Sequence, residues 1–182
     1  PLADFTVGNE CLGDTVEFSD ASTIDWGNLN YDWAFGDNSS SANQNPEHLY
    51  GNPGTFDVTL TVTSDEGCSG EAMNSVTVHN NPSASFNRQN ILCHSEENGW
   101  INVLAGDGIP PYQFSIDTGN TFQNNGQFAG LGADLYQILV QDFNGCNSTV
   151  EVEITEPDTL VAQVDFLNHL LCNGESNGVI DL

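Results

Sequence analysis

Cys93 and His94 stand side by side, the pairing from which a thiol–imidazole nucleophile could be built. Such a nucleophile must be a free thiolate. The chain carries five cysteines, Cys11, Cys68, Cys93, Cys146 and Cys172, with no C-x-x-C pair among them. That pattern points to structural disulfides in an oxidising compartment rather than to zinc or redox chemistry. Cys93 is therefore expected to be oxidised. The other histidines, His48, His79 and His169, are scattered, and no G-x-S-x-G, H-E-x-x-H or P-loop occurs. No catalytic residue is assigned, and the chain is read as not an enzyme.

Two further kinds of residue could bind something. Asp20, Asp25, Asp32 and Asp37, and later "DTGN" (117–120) and "DFNG" (142–145), make acidic turns. Calcium takes six to eight oxygens, which Asp/Asn-rich loops can supply. None of these turns has the twelve-residue EF-hand spacing, and D-x-N-G is first a turn signal. No metal ligand or cofactor is assigned, with calcium the one ion these turns would suit. Trp26, in the loop "IDWGNLN", and Trp100 are candidate ligand contacts, because an outward indole can stack on a sugar ring or cover a domain junction.

Charge narrows the partners. Against 26 Asp and Glu there is one strongly basic residue, Arg88, for a formal net charge of −25. Nucleic acid binding needs cations to displace counterions, and anionic lipid needs them equally, so both partners are excluded. Such a surface repels itself over ~8 Å at physiological salt and only ~3 Å at 1 M. This favours salty water outside the cell. Arg88 receives no role. No apolar run approaches the ~18 residues of a membrane span, so membrane insertion is not expected. No signal peptide opens the chain, and a start at Pro1 with a stop inside the strand-like "GVIDL" is expected of a segment cut from something longer.

The elements that must position these residues are strands. "TVEF" (15–18), "TFDVTLTVT" (55–63), "NSVTVH" (74–79), "PYQFSID" (111–117), "YQILVQD" (136–142) and "TVEVEIT" (149–155) alternate apolar with polar between Gly, Asn, Asp or Pro turns. No window carries a helical stripe. The fold class is all-β, as tandem immunoglobulin-like β-sandwich domains. In "YDWAFGDNSS" (31–40), Tyr31, Trp33 and Phe35 alternate, so Trp33 is expected in the core and Asp37 is expected to cap its turn.

Prolines in "HNNPSASF" (79–86) and "TEPDTL" (155–160) break the pattern, giving domains at 1–80, 81–158 and 159–182. "ILCHSEENGWINV" (91–103) aligns with "LLCNGESNGVIDL" (170–182), matching Cys93 to Cys172, Gly99 to Gly178 and Ile101 to Ile180. The third domain is thus the first part of another copy of the second. Ile101 and Val103 take core positions, which places Trp100 and Asn102 on the opposite face. With two cysteines in each of the first two domains, pairing within domains is expected, Cys11 with Cys68 and Cys93 with Cys146. Cys172 would await a partner past residue 182. A Cys11–Cys68 bridge would hold the first domain closed under load.

"YDWAFGDNSS" followed by "NPEHLYGNPGTFDVTLTVTSDEGC" (45–68) resembles the PKD domain, an immunoglobulin-like sandwich with a W-x-F-G-D-G turn. His48 belongs to that pattern. Asn38 stands where the family has Gly, and Asn tolerates a left-handed backbone. Residues 84–157 resemble the SprB repeat of giant surface adhesins of gliding Bacteroidetes. The likeness rests on C-x5-G-x-I (Cys93, Gly99, Ile101), "GDGIPPYQFSIDTG" (106–119) and "FQNNGQFAGLGADLYQILVQDFNGC" (122–146). Asp134 takes a position where that family prefers Gly and is expected to tolerate the same conformation.

These resemblances imply an exported cell-surface protein, secreted by the type IX route and used for attachment or gliding motility, in which this segment is a stalk or filament spacer. Its partners would be other repeats of the same chain, surface glycans or other cells, or a second copy in a homo-oligomer. The alternatives are an accessory substrate-binding module of a secreted hydrolase, or part of a multi-chain surface appendage.

Overall fold

Between Val58 and Thr63 Val or Leu alternates with Thr, and burial follows the period: Val58, Leu60 and Val62 have no exposed surface. β-Branched and aromatic side chains fit the pleat, and one buried face per sheet fixes the register. The computed structural model describes residues 1–163, 166–168 and 179–181, and every regular element among them is a strand.

The first unit contains β1 (Phe5–Val7), β2 (Glu10–Cys11), β3 (Val16–Asp20), β4 (Leu29–Ala34), β5 (Ser40–Ser41), β6 (Glu47–His48), β7 (Gly54–Ser64) and β8 (Ser69–His79). One sheet runs β1-β3-β6 and the other β2-β8-β7-β4-β5. All neighbours are antiparallel except β2, which lies parallel to the end of β8 with Cys11 opposite His79. Phe5, Val16, Phe18, Trp33, Phe35, Tyr50, Val58, Leu60, Val62, Val76 and Val78 fill the space between the sheets.

The second unit contains β9 (Ser83–Gln89), β10 (Gly99–Gly106), β11 (Gln113–Ser115), β12 (Gln127–Leu131), β13 (Asp134–Gln141) and β14 (Asn147–Ile154). Its sheets run β12-β10-β9 and β11-β13-β14, around Ile91, Ile101, Val103, Phe114, Ile138, Val140, Val152 and Ile154. Gly99 is needed for close approach. A Cβ there would lie 2.8 Å from the Leu131 carbonyl oxygen, where β10 and β12 change register. Beyond Pro157, β15 (Phe166–Asn168) and β16 (Val179–Asp181) pair antiparallel. Most of the expected third copy, Cys172 included, lies outside the described residues.

The chain is all-β, built as immunoglobulin-like sandwiches with separate cores. One local expectation needs correction. Asp134 opens β13 as a strand residue, and the left-handed residue nearby is Gly130, with φ 72°. The Arg88 guanidinium donates to the Glu153 carbonyl oxygen on β14.

Candidate functional site

The stretch 31–40 is an architectural knot. Trp33 is fully buried, with its ring centroid 5.0 Å from Phe5 and 5.5 Å from Phe18, and its Nε1 donates to the Asn43 carbonyl at 2.8 Å. Gly36 has φ 84°, and a Cβ there would meet the Asp57 carbonyl oxygen at 2.7 Å. Asn38 takes the left-handed conformation, φ 72°. Asp37 accepts from the Ser39 amide at 3.0 Å and lies 2.7 Å from His48 Nε2, while the His48 ring stacks on Phe35 at 4.4 Å.

Asp37, Ser39 and His48 thus assemble the three residue types of a hydrolytic triad, but in the wrong order. Ser39 Oγ lies 3.1 Å from His48 Nε2, the same nitrogen that faces Asp37. In a working triad the acid holds one ring nitrogen while the other takes the hydroxyl proton. The cluster is a clamp on the turn. Partial burial opposes the Asp37 charge, but hydrogen bonds from Ser39 and His48 prevail and hold the carboxyl below its ordinary value. Burial, with Asp37 nearby, pushes the Tyr50 phenol well up, and its hydroxyl donates to the Phe35 carbonyl at 2.9 Å.

The acidic turns of the second unit are closed on themselves. Asp142, 5% exposed, accepts from the amides of Asn144, Cys146 and Ile109 at 2.9, 3.0 and 2.9 Å. Asp117 accepts from Ser115 Oγ, the Thr121 amide and Thr121 Oγ1 at 2.6, 2.9 and 2.7 Å. Those bonds lower its carboxyl to about 2. A carboxylate accepting several local donors has its lone pairs committed to the turn. Among the described residues no three metal-ligating side chains converge.

Trp100 lies on the outer face of β10 while Ile101 and Val103 point inward. Its Nε1 donates to Gln89 Oε1 at 3.0 Å, and with Asn102, Gln127, Phe128 and Ala129 it lines a shallow depression of about 410 Å³. Trp26 is 76% exposed at the other end of the chain, in a depression of about 250 Å³ shared with Pro1, Asp65, Glu66 and Cys68. The structure does not bring the two indoles together.

The cysteines overturn the expected pairing. Cys11 is bonded to Cys146, 135 residues away, and Cys68 and Cys93 are exposed free thiols. The bridge therefore crosses from the first unit to the second. The physical reason lies in where each cysteine sits. Cys11 ends β2, opposite His79, the last residue of β8, and the Leu12 amide donates to the His79 carbonyl at 2.8 Å. Asn81, in the linker, donates to the Leu12 carbonyl at 2.8 Å. Cys146 is in the β13–β14 turn, whose Phe143 amide donates to Ile109 at 2.8 Å. That turn lies near Gly108, whose added Cβ would be 2.9 Å from Asp142 and 3.1 Å from Pro82. Both cysteines thus flank the linker. Cys68, in the β7–β8 turn, is at the opposite end of the first unit beside Pro1, out of reach of Cys11. A signal for this was present in the sequence: "DEGC" (65–68) and "DFNGC" (142–146) end equivalent hairpin turns, so Cys68 and Cys146 hold the same place in their units.

Residues 1–78 match the PKD domain family, and a PKD-like domain is present there. The chain is 33% identical over 94 residues to Collagenase ColA of Bacillus cereus, half of this chain but 9% of that protein. The PKD1 domain from Vibrio cholerae metalloprotease PrtV is 34% identical, covering 43% of this chain and 95% of its own, with TM-score 0.40. The C-terminal 282-residue fragment of intimin, solved with the intimin-binding domain of its translocated receptor, is 12% identical. It covers 85% of this chain and 64% of its own with TM-score 0.50, a likeness of fold. The inter-unit disulfide is consistent with an extracellular location. Among the described residues no helix is long and apolar enough to cross a membrane.

Proposed function

We propose that this segment is a non-catalytic accessory arm of a secreted multidomain hydrolase, spacing and orienting the domain that acts on a polymeric substrate. The observation that carries the reading is the Cys11–Cys146 bond, which ties one sandwich to the next across a short linker. Without such a tie, relative motion of neighbouring domains is the default. The likeness to a collagenase over 94 residues and to the PKD1 domain of a metalloprotease supports a hydrolase as the owner. The outer face of β10, with Trp100 flanked by the uncharged Gln89, Asn102 and Gln127, would offer stacking and amide hydrogen bonds to a neutral glycan.

A second reading has its own support. The match of residues 91–103 to 170–182 favours a tandem array, with units at 1–80, 81–158 and from 159 onward, and with it a stalk of a long surface adhesin of the SprB-repeat kind, exported by the type IX route for attachment or gliding.

Deleting residues 1–182 from the parent protein separates the readings. For an accessory arm, turnover of a small soluble substrate is unchanged while turnover of the insoluble polymer falls. Loss of small-substrate turnover would refute it. A parent without hydrolytic activity, whose deletion shortens the surface filament and weakens cell attachment, would establish the stalk.

A further inference from the structure

We propose that Cys93 and Cys68 are the two halves of further inter-unit disulfides, so that each unit of the parent chain is bonded to the next by the same bridge as Cys11–Cys146. The first-loop cysteine of each unit would bond the hairpin-turn cysteine of the unit that follows. The proposal rests on the tandem arrangement and is independent of whether a hydrolase or an adhesin owns it.

The equivalence is structural. Cys11, at the end of β2, lies between β1 and β3 of its unit, and Cys93 lies between β9 and β10 of the next. In each case the chain beside the cysteine docks at the end of that unit's last strand. The Leu12 amide donates to His79, the last residue of β8, at 2.8 Å, and the Ile91 amide donates to Thr155, just after β14, at 3.0 Å. Each cysteine carbonyl accepts the amide three residues on, Asp14 at 3.0 Å and Glu96 at 3.2 Å. His94 and Ser95 tie Cys93's loop to Pro157 and Glu156, at the exit toward the following unit. Cys172 aligns with Cys93 in sequence, which gives the next unit the same first-loop cysteine.

Cys68 and Cys146 correspond equally closely. Each closes a hairpin turn in which its carbonyl accepts the amide of the residue four before it, Ser64 at 2.8 Å and Asp142 at 2.9 Å. Each has its own amide held by that residue's side chain, Ser64 Oγ at 3.1 Å and Asp142 Oδ1 at 3.0 Å. Pro1 lies beside Cys68 as Pro82 lies near the Cys146 turn. What differs is company. Cys146 has a preceding unit against it and is fully buried; Cys68 has none here and is exposed. Cys93 is likewise exposed, and on this proposal the turn it needs belongs to the following unit.

Each bond forms by thiol–disulfide exchange. The two thiols lose two electrons to the disulfide of an oxidising exchange protein, which leaves as a dithiol carrying both protons.

The test is a disulfide map of the parent protein carrying at least one complete unit on each side, blocked with an alkylating agent before non-reducing digestion. The expected result is three linked peptides: Cys11 with Cys146, Cys93 with the hairpin-turn cysteine of the following unit, and Cys68 with the first-loop cysteine of the preceding one. The alkylated Cys93 and Cys68 peptides are then lost from the parent digest. The same treatment of the 182-residue segment should alkylate both without reductant. Alkylated Cys93 in the parent, a Cys68–Cys93 bond, or a flanking unit without the hairpin cysteine would each overturn the proposal.

Discussion

Asp117 shows how much a single side chain settles. Its carboxylate gathers Ser115 and Thr121 around the turn after β11, and the folded carboxyl sits at about 2 against an ordinary 3.8. A carboxyl lowered on folding stabilises the protein above its ordinary value, and that contribution is lost as pH falls through the folded value. Stability should therefore decline between pH 4 and pH 2 more steeply in the native protein than in Asp117→Asn, measured by urea unfolding across that range. Parallel curves would mean that the hydrogen bonds do not favour the charged form. The turn was legible first as "DTGN", with calcium binding left as a secondary reading of the same oxygens. Only the positions of Ser115 and Thr121 show that the oxygens serve the turn.

At the level of elements, the β13–β14 hairpin depends on Asp142. The strands alternate as their sequence demands, but the turn between them is held by one nearly buried carboxylate accepting three amides. Removing it leaves donors unpaired, which costs ~2–4 kcal/mol by the range for lost buried networks. Asp142→Ala should lower the stability of the second unit by that amount in chemical unfolding and slow closure of the Cys11–Cys146 bond on reoxidation, since the turn presents Cys146. A variant as stable as the native protein would contradict this role. Strand existence and facing were readable from period-2 patterning in β7, β13 and β14, and the facing of β10 from the match of residues 91–103 to 170–182. The two-residue strands β2, β5 and β6 were not, because so short a segment has no period and is defined by its partners.

For the molecule as a whole, the bridge changes how load is carried. Expected within the first unit, it instead encloses most of both units, from Cys11 to Cys146. Pulled from its ends, the oxidised chain can extend only outside that loop. The separation of 135 residues withholds roughly 460 Å of contour at ~3.4 Å per residue. Single-molecule stretching should release that length after reduction or in Cys11→Ser, and identical traces with and without the bond would defeat the assignment. Each core is complete within its own unit, so reduction should free the units to move while leaving both folded.

The sequence by itself determined the all-β architecture, the inward Trp33, the outward Trp100, the strained turn at Asn38 and the extreme charge. These follow from local periodicity, turn chemistry and composition, which act over a few residues. The tertiary structure alone decided which cysteines meet, that Asp37, Ser39 and His48 form a clamp rather than a triad, and that Trp26 and Trp100 lie apart. Those outcomes depend on which ends of the two sandwiches flank the linker and on which nitrogen of one imidazole faces two neighbours. Both are set by packing between segments distant in the chain.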